Sequence, residues 1–149
     1  MTTPNIKIVK PVVSVATACE KVMIEKDDVV SLIRLVDTFF IPEEVLAKPQ
    51  DAAIPITGLI VLRGGDFTGE GELSLAVESP DGKRTEFPDK FPMLFTSTDQ
   101  TNNVICNMVI ALRHVGTSWV NVLWDGDLLT KFPIKLAPQK KPETSDAKN

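Results

Sequence analysis

The segment from residue 116 to residue 136, GTSWVNVLWDGDLLTKFPIKL, constrains the fold more than any other part of the chain. Apolar residues occupy every second position before its Asp-Gly-Asp turn, at Val120, Val122 and Trp124, and the alternation resumes beyond the turn. Period-two alternation around a glycine-containing turn is the pattern of an antiparallel pair with one buried face. The segment therefore predicts a β-hairpin with Trp124 in the core.

The parity of the residues around the turn predicts the length of its loop. A two-residue loop places Trp124 opposite Asp127 and mixes the two faces of the hairpin. A three-residue loop pairs Trp124 with Leu128, and Val122 with Thr130, which keeps one face largely apolar. We therefore predict the three-residue loop.

Short strand-like segments separated by turn signals extend over most of the chain. They are residues 13–23, 29–40, 56–62, 71–78, 84–87, 104–112 and 118–136. Residues 42–48 supply one helical signal, since a proline and two glutamates open it. About eight strands with one short helix and no βαβ unit predict an all-β fold. The predicted architecture is an antiparallel β-sandwich, immunoglobulin-like or C2-like.

The length of 149 residues is that of one domain, large enough to bury a core without disulfides or metals. Residues 1–10 are predicted to be a flexible lead-in, and residues 11–137 the β-sandwich domain. Residues 138–149 are polar and carry lysines and prolines, so we expect a disordered tail.

The charge balance of the chain argues against two classes of partner. The net charge is -4, which disfavours nucleic acid, because binding there depends on neutralising phosphates. An acidic domain is equally poor at docking on anionic lipid. The apolar run near the N-terminus is interrupted by Ser14 and Thr17, unlike a secretory signal. We expect a cytoplasmic protein with no nucleic-acid and no membrane partner.

Two cysteines leave two interpretations open. Cys19 and Cys106 lie 87 residues apart within apolar, strand-like runs, with no CxxC motif. They could be buried free thiols in a reducing compartment. They could also form a disulfide between the two sheets of a secreted sandwich.

Several segments of the chain are similar to a bacterial family of small cytosolic β-sandwich domains with no assigned function. The segments that carry the resemblance are 18–22 (ACEKV), 32–42 (LIRLVDTFFIP), 71–83 and 119–136. The resemblance extends over roughly residues 13–137, and the proline-containing segment 87–95 departs from it. It implies a cytosolic β-sandwich and assigns no catalytic residue.

The residues of the chain give little support to an enzyme. Nucleophilic catalysis needs a base beside the nucleophile, and His114 is the only histidine. No glycine-flanked nucleophile elbow is present. The carboxylates fall in turns, and the absence of tyrosine disfavours sugar stacking. We expect a protein that is not an enzyme, with no catalytic residue and no cofactor.

Three turn carboxylates, Asp81, Asp125 and Asp127, are candidate loop acids. Gathered at one end of a sandwich, they could bind calcium through hard oxygen ligands or contact a small molecule. Aspartates in turns also simply accept hydrogen bonds from nearby backbone groups. No residue is assigned as a metal ligand.

Large apolar residues beside proline or the short helix are candidates for an interaction surface. Phe91, Met93 and Phe95 follow one another in a segment broken by two prolines, which excludes a central strand and predicts an edge strand or a wrapped loop. Phe39 and Phe40 are neighbours, so on a strand they face opposite ways. Core packing under the helix or the loop is the alternative for all five.

The function predicted from these observations is a non-catalytic protein-interaction or structural module. Its partner is expected to be a protein, or a second copy of the chain. The alternative is a small-molecule or calcium-binding module that uses loops at one end of the sandwich.

Overall fold

The structure is a computed structural model that describes residues 9–47, 53–112 and 115–139. Most of the predicted lead-in and tail, and His114, lie outside the described residues.

The described residues form nine strands and one short helix. In chain order they are β1 (Val12–Ile24), β2 (Val30–Leu35), β3 (Thr38–Ile41), α1 (Glu43–Leu46), β4 (Ala53–Arg63), β5 (Gly69–Glu78), β6 (Arg84–Phe95), β7 (Thr101–Ala111), β8 (Gly116–Trp124) and β9 (Asp127–Pro138). The helix is a single turn, shorter than the predicted 42–48, and Pro42 is its N-cap.

The strands form two sheets, so the predicted all-β sandwich is confirmed. One sheet has the order β2-β1-β4-β7, and the other has the order β3-β9-β8-β5-β6. With β1, β4 and β7 in one sheet facing β9, β8, β5 and β6 in the other, the order matches the A-B-E and G-F-C-C′ sheets of immunoglobulin-type sandwiches. The two sheets meet through apolar side chains.

The predicted second strand, residues 29–40, is divided between the two sheets. β2 pairs with β1, whereas β3 runs parallel to β9, so the sandwich is not purely antiparallel as we expected. The chain leaves β2 near Arg34, whose φ of 52° interrupts the extended backbone. Asp37 then accepts a hydrogen bond from the N–H of Lys135 at 2.7 Å, which attaches the chain to the opposite sheet.

The core lies between the sheets and is built from alternate residues of each strand. The interior positions of β4, β5, β8 and β9 are almost fully buried: Ile60, Leu62, Leu73, Leu75, Val120, Val122 and Ile134. Trp124 is 3% exposed, which confirms its predicted place in the core. Its ring contacts Phe67 and Phe95 in edge-on geometry at centroid distances of 5.4 and 6.0 Å.

The β8–β9 loop has two residues, so the predicted three-residue loop is wrong. Trp124 pairs with Asp127, and the loop residues Asp125 and Gly126 have φ values of 49° and 87°. Positive φ at both positions is the type I′ geometry that Asp-Gly favours. A bulge between Val122 and Leu123 then absorbs one extra residue of β9.

The bulge explains why the rest of the predicted hairpin register is correct. Val122 pairs with Thr130 and Val120 with Phe132, as the apolar pattern required. Turn chemistry therefore determines the loop, and burial of one face determines the register beyond the bulge.

Candidate functional site

The open side of the sandwich between β6 and β7 is the candidate site, which we call the β6/β7 seam. Among the described residues, each of these strands is the last in its sheet, and side chains from both line two clefts there. The first cleft has a volume of about 430 Å³, and its lining includes Phe87, Ile110 and Ser118. The second has a volume of about 390 Å³, and its lining includes Phe91, Met93 and Val104.

The far end of the seam is closed by polar side chains at the start of β7. The side-chain amide of Gln100 donates to the carbonyl of Leu94 at 3.0 Å, and its Oε1 accepts from the N–H of Thr96 at 2.7 Å. The amide of Asn102 also donates to Leu94 at 3.4 Å. These bonds tie β6 to the start of β7, so the accessible part of the seam lies along the rest of β7.

The predicted edge-strand character of the 87–95 segment is confirmed, because β6 borders its sheet and contains both Pro88 and Pro92. Phe91 and Met93 are half-buried and pack against the core from the seam. Phe95 is 1% exposed and contacts Trp124, so this residue belongs to the core and not to an interaction surface. It is covered because Phe67 packs edge-on against its ring at 6.0 Å.

The other two predicted interaction residues lie elsewhere. Phe39 and Phe40 are on β3, at the opposite border of the five-stranded sheet from β6. Phe39 packs against the core, whereas Phe40 is 63% exposed, which agrees with the expectation that neighbours face opposite ways. The five predicted residues therefore do not form one surface.

The candidate loop acids are also not brought together. Asp125 adjoins Glu72 near the start of β5, whereas Asp81 lies in the turn after its end, so the two are at opposite ends of the sandwich. Within the described ranges, no group of three or more His, Cys, Asp or Glu residues is placed to hold a metal ion.

Each loop acid has a partner within the protein. The Oδ1 atom of Asp125 accepts from the N–H of Glu72 at 2.9 Å, and that of Asp81 accepts from the N–H of Lys83 at 3.1 Å. Asp127 forms an ion pair with Lys10 at 3.9 Å. The Asp81 bond is the turn-stabilising role that aspartate commonly has, whereas the Asp125 bond links the β8–β9 turn to β5.

The geometry excludes the intramolecular disulfide. Cys19 pairs with Thr57, and Cys106 pairs with Gly58, so β4 separates the two cysteines and they point to opposite faces of one sheet. Two strand spacings amount to roughly 9–10 Å, beyond the reach of about 7 Å between the Cα atoms of a disulfide. Both thiols are free and buried.

Burial also reduces the reactivity of the thiols. Desolvation raises the pKa of Cys106 to about 11, although hydrogen bonding with the backbone of Gly58 acts in the other direction. Desolvation likewise raises the pKa of Cys19. Because the thiolate is the reactive form, neither cysteine resembles a nucleophile at neutral pH.

Sequence reasoning identified a strand at residues 104–112 but not its position at an edge. β7 reads TNNVICNMVIA, with no charged residue and no proline. Edge strands are normally protected by charges, prolines or bulges, and β6 carries charges and two prolines. An uncharged strand is typical of a sheet centre, which is why its sequence does not reveal its edge position.

The hydrogen-bond pattern determines which backbone groups of β7 face outward. Gly64 and Gln100 lie directly opposite each other, one position beyond the end of the β4–β7 ladder. The N–H of Gly64 donates to the carbonyl of Gln100 at 3.1 Å. Hydrogen-bonded and non-bonded pairs alternate in an antiparallel ladder. The odd-numbered residues of β7, including Asn103, Ile105 and Asn107, therefore direct their N–H and C=O groups toward the open edge.

Comparisons with known proteins give a likeness of fold. No family model matches the chain, and no curated protein matches it. A Pseudomonas fluorescens alkylpurine DNA glycosylase, AlkC, bound to DNA with an abasic-site analogue, is similar over 56% of this chain and 26% of its own, with 15% identity and a TM-score of 0.46. This chain therefore spans about a quarter of that glycosylase.

An immunoglobulin-like protein from Pseudomonas aeruginosa is similar over 86% of this chain and 97% of its own, with 14% identity and a TM-score of 0.34. Both TM-scores are low, so the sandwich assignment depends on the two hydrogen-bonded sheets themselves. No helix in the described part of the chain is long and apolar enough to cross a membrane.

Proposed function

We propose that this chain is a non-catalytic protein-interaction module that binds its partner along the β6/β7 seam. The observation that carries the proposal is the open edge of β7, which has neither a charge nor a proline along eleven residues. Such an edge is a template for pairing with another strand.

The seam offers both components of recognition by strand addition. The outward N–H and C=O groups of β7 supply main-chain hydrogen bonds, which give affinity without reading sequence. Phe87, Phe91 and Met93 are half-buried beside that edge and supply apolar contacts, which select alternate side chains of the added strand. Methionine adapts to varied apolar partners, so Met93 suits a contact surface.

Three observations support the non-catalytic and cytoplasmic parts of the proposal. Both thiols have raised pKa values, so they are protonated at neutral pH. Asp81 and Asp125 lie in turns and accept hydrogen bonds from the backbone N–H groups of Lys83 and Glu72. Free cysteines are the usual state in a reducing compartment. The acidic net charge supports a protein partner over nucleic acid or anionic lipid.

Selection of a random peptide library displayed on phage against the full chain tests the function. We expect enriched peptides to be extended and to carry apolar residues at alternate positions. Asn107→Pro should abolish their binding, because it removes an outward N–H while leaving the bonds from β7 to β4 intact. Leu128→Lys, at an exposed position of β9 outside the seam, is the control and should bind as the wild type does.

A result in which neither peptide binding nor self-association depends on Asn107 contradicts the proposed function. Enrichment of peptides that bind Asn107→Pro equally well would place the interaction on another surface and also contradict it.

The first cleft favours one second candidate, a small-molecule site at the end of the seam. It combines an aromatic wall from Phe87 with the hydroxyl of Ser118, which is 4% exposed, and with Asp81 at its rim. Thermal-shift screening of a fragment library tests this candidate, and Phe87→Ala should abolish any stabilisation. Calcium titration tests the metal-dependent form, in which Asp81→Asn should remove the shift.

A further inference from the structure

We infer that the partner that occupies the β7 edge is a second copy of this chain, paired antiparallel about a two-fold axis. The pairing joins two four-stranded sheets into one continuous eight-stranded sheet. This inference rests on the proposed interaction function, and it names the partner of the same seam.

The first support is the regularity of the edge. β7 pairs with β4 at eleven consecutive positions with no register shift. The β1–β4, β5–β6 and β8–β9 pairs, in contrast, each contain a bulge or irregularity. Bulges bend and twist a strand and so prevent edge-to-edge pairing. β7 has no bulge of this kind, and it also has neither a charged residue nor a proline.

The second support is that β7 is complementary to itself in the two-fold register centred on Ile105. In this register Ile105 lies opposite Ile105 of the second copy, and Asn103 lies opposite its Asn107. Thr101 lies opposite Val109 of the second copy. Each solvent-side position therefore meets a residue of its own kind, β-branched with β-branched and amide with amide, and such cross-strand pairs are favourable.

Neighbouring registers are less well matched. Centring the axis on Cys106 places Asn103 opposite Val109 and Ile105 opposite Asn107, so amides meet apolar side chains. Centring it on Asn107 places Ile105 opposite Val109 and Asn107 opposite itself, but it leaves the amide of Asn103 opposite Ala111. An isologous two-fold contact is also the commonest way for one chain to form an oligomer.

The third support is the apolar area that pairing covers. Val109 points to the solvent side of the sheet and is 65% exposed. Ile105 is on the same side, in a row with Leu59 of β4 and Thr17 of β1. No charged side chain of β7 interrupts this row, so no like charges of the two β7 strands meet across the pairing.

Light scattering and sedimentation of the full chain over a concentration series test the inference. We expect the wild type to shift from monomer to dimer as its concentration rises, whereas Asn107→Pro stays monomeric throughout. Leu128→Lys changes an exposed position of β9, outside the seam, and should dimerise as the wild type does. Circular dichroism and thermal melting establish that both variants are folded.

A cross-linking variant tests the register. Ile105 directs its backbone groups outward, so opposite itself it forms a hydrogen-bonded pair, whose Cα atoms lie about 5.5 Å apart. That distance lies within the range of a disulfide. Ile105→Cys should therefore form a disulfide-linked dimer on mild oxidation. The control Val61→Cys, on the same face but on the central strand β4, should not.

Two results overturn the inference. The first is a wild type that stays monomeric up to its solubility limit. The second is a dimer that is insensitive to Asn107→Pro and not cross-linked by Ile105→Cys. Peptides that bind the wild type but not Asn107→Pro would then preserve the proposed function with a different partner, so the failures of the two proposals are distinguishable.

Discussion

Gly71 lies directly against the indole ring of Trp124, so close that a Cβ atom at position 71 would overlap three atoms of the ring. Gly71 is on β5, two residues before Leu73, and Leu73 pairs with Trp124 at the end of β8. The absence of a side chain at position 71 therefore makes room for the largest aromatic residue in the core. The contact links the start of β5 to the final hairpin.

Gly71→Ala should destabilise the fold by about 1–3 kcal/mol, the usual effect of overpacking a core. Urea unfolding measures the change, and Ser74→Ala on the solvent side of the same strand is the control. Trp124→Phe should reduce the penalty of Gly71→Ala, because the smaller ring leaves space for the methyl group. A double-mutant cycle with additive effects would contradict the contact.

Asp125→Ala should destabilise the protein by about 1 kcal/mol, because it removes the acceptor for the N–H of Glu72. Asp125→Asn should be milder, since asparagine retains a side-chain acceptor and tolerates positive φ. Asp127→Ala is the matched control, because its exposed ion pair with Lys10 contributes little. Equal effects of the two alanine variants on the free energy of unfolding would show that the Glu72 bond is unimportant.

Phe95→Ala should destabilise the protein by about 3–5 kcal/mol, whereas Leu94→Ala should change stability by less than about 0.5 kcal/mol. The neighbours differ because Phe95 is buried in the core and Leu94 faces solvent. Chemical denaturation measures both values. A small effect of Phe95→Ala would restore Phe95 to the candidate interaction surface.

The stability of the fold should decrease as the pH rises from about 9 to about 11, the interval between the ordinary and the raised pKa of Cys106. Burial keeps this thiol protonated in the folded state, so above pH 9 the unfolded state loses its proton first. The contribution of this thiol to the free energy of unfolding is therefore present in full below pH 9. It is lost as the pH rises above 9, and the loss is at most about 2–3 kcal/mol.

Urea unfolding of the wild type and of Cys106→Ala at several pH values isolates this contribution. The variant should be less stable at neutral pH because it leaves a cavity, but its stability should decline less steeply above pH 9. Identical pH slopes for the two proteins would contradict the raised pKa.

Local patterns in the sequence predicted the elements well, but not their arrangement. The alternation around residues 120–136 predicted the hairpin and the burial of Trp124, and both are confirmed. The loop length was wrong because Asp-Gly favours a two-residue turn, and a bulge corrects the parity afterwards. Pattern reasoning detects which residues share a face, but a bulge changes that count without a clear signal in sequence.

The candidate site was only partly predictable. Two prolines predicted that residues 87–95 form an edge strand or a wrapped loop. The structure has the edge strand β6, with Phe91 and Met93 beside an open border. Phe95 was misplaced because its burial depends on Phe67, which reaches it from the segment between β4 and β5. The open edge of β7 was not predicted, because an uncharged strand has the composition of a central one.

The sequence by itself determined the all-β class and the closing hairpin, and it excluded a central strand at residues 87–95, because each follows from alternation, turn residues or proline within a few positions. Only the tertiary structure decided that residues 29–40 divide between two sheets, that Cys19 and Cys106 lie on opposite faces, and that β7 lies at a border. Sheet order depends on pairing between strands that are far apart in the chain. Such pairing produces no periodic pattern within a strand that would identify its neighbour in the sheet. The seam that we propose as the interaction site is therefore a product of topology.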